Sequence, residues 1–150
     1  MKSTFPIALV LAMLSGAAAL SHELLWTRRL VDLLGATGEA TSRVFGCFFL
    51  GLSLGGLLAA LMLRRIERPW RAVLFSELAI ALLAVPALCL PWWSDWIWPL
   101  IGPERLVSWQ GALIKTVLSG VVVLPPAMFM GMTLPFFAAA VLRRKATLRR

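Results

Sequence analysis

From Val44 to Leu63 the chain runs for twenty residues without a charge. At about 1.5 Å per residue that is roughly 30 Å of helix, the thickness of a bilayer's hydrocarbon core. Arg64, Arg65, Arg68 and Arg71 follow at once. The run therefore reads as a membrane span with a basic, cytoplasmic exit. Three further apolar runs share this pattern. Phe5 to Leu34 reads as one helix whose first two-thirds cross the membrane and whose tail lies at the interface. Ala72 to Leu90 is the third span, and a fourth runs from near Ser108 to near Leu142. The pattern predicts an all-α integral membrane protein of about four transmembrane helices, at about 5–26, 43–63, 72–90 and 110–142.

The polar interruptions carry the information. Lys2, the apolar body to Leu20 and Ala17-Ala18-Ala19 resemble a signal peptide. Against that, apolar residues continue past the alanines through Leu24, Trp26, Leu30 and Leu34. His22 and Glu23 fall near the far end of the first span, one to two turns before Arg28 and Arg29. A carboxylate at membrane depth is costly and faces protein or water, so Glu23 is paired with an Arg, protonated, or solvated at the interface. Glu77 raises the same question in the third span, with Arg68 and Arg71 near enough in sequence to pair with it. Gly51 and Gly55 form a small-residue face for close contact with another helix. Gly35 to Thr41 is expected to be a short outer loop, and Leu90 to Arg105, rich in Trp and Pro, an outer loop on the membrane surface. Pro125, Pro126, Gly131 and Pro135 predict a broken or bent fourth helix. A broken helix in lipid needs protein or water around its freed carbonyls, a construction that transporters use to bind substrate.

Composition supports the membrane reading. Of the 150 residues 60% are hydrophobic and 15% are charged, against about a quarter charged in a soluble domain. The net charge of +8 calls for no nucleic-acid partner, because the bases cluster at the ends of apolar runs and line no aromatic groove. Cys47 and Cys89 support neither a disulfide nor a metal site. No nucleotide-binding glycine turn and no paired-carboxylate cluster is present, so no cofactor is expected.

Four motifs carry a family resemblance. Ser15-Gly16-Ala17-Ala18-Ala19-Leu20-Ser21-His22-Glu23-Leu24-Leu25-Trp26-Thr27-Arg28 resembles the first helix of the transmembrane spermidine-synthase-like proteins. These fuse a major-facilitator-like membrane domain to an aminopropyltransferase-like domain. His22 stands where that family usually has Tyr. Gly51-Leu52-Ser53-Leu54-Gly55 resembles its second-helix glycine pattern, and Glu77 to Leu82 its third-helix start. Leu124 to Pro135 resembles its Pro-x-x-x-Met-Gly-x-x-x-Pro signature. The resemblance implies a major-facilitator-like partial bundle without a soluble catalytic domain. Family members continue into more helices and a domain that binds decarboxylated S-adenosylmethionine; this chain stops at Arg150. The expected function is a non-catalytic membrane-domain fragment or subunit that anchors or serves a cytoplasmic synthase-like domain. The alternatives are a membrane transporter or binding component for a polyamine or other small cation, and a purely structural small membrane protein. The implied partners are the bilayer, other transmembrane helices from a second copy or a neighbouring gene product, and a synthase-like soluble domain.

Orientation follows from charge. Lys2, Arg64, Arg65, Arg68, Arg71, Arg143, Arg144, Lys145, Arg149 and Arg150 fall on one side, ten of the 15 bases. Arg28, Arg29, Arg43, Arg105 and Lys115 fall on the other. Both termini are thus expected in the cytoplasm of a bacterial inner membrane. An alkaline phosphatase fusion after Arg150 should be inactive and a green fluorescent protein fusion there bright, while phosphatase fused at Asp95 should be active. Active phosphatase after Arg150 would refute this orientation.

Overall fold

The computed structural model describes residues 4–35, 38–101 and 109–147. Lys2, Pro103, Arg105, Ser108, Arg149 and Arg150 of the sequence reading lie outside them. Four helices account for nearly all of the described chain: α1 (Thr4–Leu34), α2 (Gly38–Met62), α3 (Pro69–Ile101) and α4 (Trp109–Thr147). Each is long and apolar enough to cross a membrane. The protein is an all-α integral membrane protein with four membrane-spanning helices. Only a helix satisfies every backbone N–H and C=O within the segment, which hydrocarbon demands. Large side chains exposed around the helices, Leu24, Leu57, Leu82, Val121 and Leu142 among them, form the lipid-facing surface.

The ends have local causes. α1 stops at Leu34 because Gly35 adopts φ 97°, the left-handed conformation that closes a helix without a Cβ penalty. α2 starts earlier than expected, at Gly38 rather than after a loop reaching Thr41. Its first turn places Glu39 toward the positive end of the helix dipole, and Glu39 pairs with Arg43 one turn on. Past Met62 the chain leaves α2 through Leu63 N–H to the Ala59 carbonyl (2.9 Å) and Ile66 N–H to the Met62 carbonyl (3.2 Å). Arg143, near the end of α4, donates to the carbonyls of Ile66 and Leu63, the latter at 2.9 Å. It thereby satisfies acceptors that the end of α2 leaves free.

Two expectations are corrected. Leu90 to Ile101 is not an outer loop: α3 continues through Pro86, Pro91 and Pro99. Nor is α4 broken, since Pro125, Pro126 and Pro135 lie inside one helix from Trp109 to Thr147. Each proline deletes a single i→i−4 bond, and the bonds on either side persist. The Gly131 carbonyl, deprived of its donor by Pro135, lies 3.9 Å from the open Cβ position of Gly56 on α2.

α2 and α4 run parallel and meet at backbone distance. A Cβ on Gly55 would stand 1.9 Å from the Met128 carbonyl oxygen, and one on Gly131 would stand 2.3 Å from that of Leu52. A Cβ on Gly51 would meet the Ala127 Cβ at 2.6 Å. In glycine a hydrogen occupies that direction, so Gly55 and Gly131 each aim a Cα–H at a carbonyl of the other helix. The core lies beside this seam. Phe48, Val123, Ala127 and Met130 pack there with Trp26 and Leu30 of α1 and Ile80 and Ala84 of α3. α1 is the outlying helix: 6% of its apolar window is buried, against 28%, 33% and 39% for α2, α3 and α4.

Gly55→Ala should destabilise the folded bundle by about 1–3 kcal/mol, because backbone has to move. Gly46, with nothing within 4 Å of its Cβ position, is the control. Gly46→Ala should be neutral or gain up to about 1 kcal/mol through helix propensity. Unfolding of both variants in detergent, followed by circular dichroism, reads the difference.

Candidate functional site

A cavity of about 430 Å³ draws its lining from all four helices and opens at its edge past Leu20, Phe49 and Leu134, each more than half exposed. α1 contributes mostly small residues, Ala12, Ser15, Gly16 and Ala19, and then Glu23. They recur every three or four positions, so they share one helix face. α2 adds Phe48, Phe49 and Leu52, and α3 adds Glu77 and Ile80. Met130, Thr133, Leu134 and Phe137 of α4 complete the wall at the same spacing. The walls are mainly apolar with a few polar groups, Ser15, Glu23, Glu77 and Thr133, the usual composition of a small-molecule site of about 300–1,000 Å³.

Glu77 is anchored across the bundle. Ser15 Oγ of α1 donates to Glu77 Oε1 of α3 at 2.5 Å. Among the described residues no arginine comes within ion-pair distance of Glu77, and the other carboxylate oxygen, Oε2, has no protein partner. Arg68 and Arg71 border a separate groove at the α2–α3 turn. Thr133 is buried, but its hydroxyl donates to the Met130 carbonyl at 2.6 Å and so presents no free hydrogen to the cavity. Glu23 lines the cavity without a hydrogen-bond or ion-pair partner among the described residues. Two carboxyl groups, from α1 and α3, thus stand on an otherwise largely apolar wall.

The other residues singled out from sequence lie elsewhere. Arg28 is exposed and apart from the cavity, so it is not the counter-ion of Glu23. His22 turns back on its own helix: Nδ1 lies 2.8 Å from the Ala18 carbonyl, and the ring sits 5.8 Å from that of Trp26. Gly51, Gly55 and Gly131 hold the α2–α4 seam, and Pro126 of α4 is buried. Among the described residues no group of His, Cys, Asp and Glu could hold a metal ion. Ser15 is a site residue that the local sequence pattern does not single out. Its signal is the face it shares with Ala19 and Glu23, spaced i, i+4, i+8.

No family model, curated protein or solved structure matches the chain.

The cavity predicts a pattern of water access. In a chain with Cys47 and Cys89 replaced by alanine, Glu23→Cys should react with a charged thiol reagent in membranes. Leu24→Cys, on the lipid face at 73% exposure, should react at least about tenfold more slowly, because a thiol in hydrocarbon does not ionise. Equal rates would mean that Glu23 does not face a wet cavity.

Proposed function

We propose that the four helices form a membrane-embedded binding site for a small organic cation of the polyamine class. The single observation that carries this reading is the four-helix cavity bearing Glu23 and Glu77, with Glu77 held by Ser15 and one of its oxygens free. Spacing supports a ligand with more than one ammonium group. Glu77 is held at the level of Ser15, and Glu23 lies eight residues further along α1, about 12 Å at 1.5 Å per residue. An extended chain of roughly nine single bonds covers a similar length, at about 1.2–1.3 Å of advance per bond. The apolar wall between the carboxylates suits the methylenes of such a chain.

A second reading has support of its own. The four motifs from Ser15 to Pro135 resemble the membrane region of spermidine-synthase-like proteins, and α1 buries little of its surface. Both features suit a major-facilitator-like partial bundle that associates with further helices and anchors an aminopropyltransferase-like partner. The readings are compatible, since a membrane site for a polyamine beside an enzyme that makes one is a coherent unit.

Equilibrium binding of radiolabelled spermidine to proteoliposomes tests the first reading. Wild-type protein should bind. Glu77→Gln and Glu23→Gln should each weaken binding by about tenfold or more, the scale of one lost charge-assisted contact. Binding unchanged in the double variant, or no binding by wild-type protein, would overturn it and leave the anchoring reading as the one with support.

A further inference from the structure

A second cavity, of about 440 Å³ and open at its side past Leu14 and Leu74, abuts the first. Its lining is Leu11, Leu14, Ser15 and Ala18 of α1, Trp70, Val73, Leu74 and Glu77 of α3, and Phe137 of α4. Four residues line both cavities: Ser15, Ala18, Glu77 and Phe137. The Ser15–Glu77 hydrogen bond therefore stands on the partition between them. The second cavity leads toward the end of the bundle where α3 begins. There Trp70 and Phe137 meet edge to face with ring centroids 5.8 Å apart.

We propose that the Ser15–Glu77 hydrogen bond is a gate, and that a cation reaches the inner cavity from the Trp70 end through the seam between α1 and α3. The proposal rests on the cation-binding reading for its ligand, but the route itself is a property of the cavities. Three observations carry it. Glu77 belongs to both chambers, so one carboxylate can receive a cation from the outer side and pass it to the inner side, where Glu23 waits. Trp70 and Phe137 line the outer chamber with aromatic side chains that attract a cation on the way in. α1 is also the helix with least to hold it, and nothing lies within 4 Å of the Cβ position of Gly16, beside the gate serine. Opening the gate breaks the hydrogen bond from the Ser15 hydroxyl to one carboxylate oxygen, a change an arriving N–H donor can offset at Glu77.

The gate is tested by accessibility, without any ligand. Proteoliposomes carry the chain with Cys47 and Cys89 replaced by alanine and a new cysteine at Ala19, in the inner cavity, or at Leu11, in the outer one. A tag after Arg150 reports which face is outward, since Arg143 places the end of α4 beside the α2–α3 turn. A membrane-impermeant cationic thiol reagent is applied to one face at a time. Ala19→Cys should label from the α2–α3 turn face alone. Ser15→Ala should speed that labelling by about tenfold, the effect of losing one hydrogen bond to a charged acceptor. Labelling of Leu11→Cys should not change, and Ser15→Thr, which keeps the hydroxyl, should restore the slow rate. Labelling of Ala19→Cys from the opposite face, or a rate indifferent to Ser15→Ala, would overturn the gate. Spermidine that fails to bind while labelling behaves as expected would remove the polyamine reading and leave the gate standing as a route for water and small cations.

Discussion

Everything else in this bundle depends on how closely α2 and α4 approach. Lipid supplies no hydrophobic drive to bring helices together, so the gain has to come from direct contact. Gly55 and Gly131 provide it reciprocally, each leaving room for a carbonyl of the other helix. A methyl group at either position would occupy the space of that carbonyl. The seam puts α4's inner face, Met130 to Phe137, opposite Phe48 and Leu52, and so forms two walls of the cavity. It also covers the one place where Pro135 leaves a carbonyl short of a donor, with a glycine rather than a bulky side chain opposite.

α3 and α1 finish the enclosure in different ways. α3 packs along α4 through Ile80, Ala84 and Ala87, residues of the buried core. α1 is fixed at its far end, where Trp26, Leu30 and Leu34 are buried, and toward its start the Ser15 hydroxyl reaches Glu77. A helix pinned by bulk at one end and by a single hydroxyl near the other has an obvious place to give. The same arrangement explains how a carboxylate is tolerated in α3: Glu77 faces a cavity and a donor rather than lipid.

Much of the architecture was legible without tertiary information. The Gly51–Gly55 pair marked a contact face, and the contact lies within the chain, on α4. Glu23 and Glu77 stood out as charges at membrane depth, and both line the one four-helix cavity described here. The prolines misled in both places. Read locally, Pro125, Pro126 and Pro135 break a helix and Pro91 and Pro99 end one, yet α4 and α3 run through them. A proline costs one hydrogen bond and a ring contact with the carbonyl four residues before it, and tertiary packing with the ladder on both sides outweighs that cost. The arginines misled as well. Arg71 is six residues from Glu77 in sequence, but the partner is Ser15, 62 residues away.

The division has a physical basis. The amino-acid sequence alone determined that the chain is α-helical, that it crosses a membrane four times and where the charged turns fall. Those properties follow from span length and from backbone bonds satisfied within each segment, both of which are local. Only the tertiary structure decided which helices touch, which carbonyl each glycine faces and which donor holds Glu77. Those contacts join residues far apart in the chain, and no periodicity within a single helix records which face of another helix it will meet. The cavity belongs to this second class, since its walls come from four helices and exist only once α2 and α4 have closed.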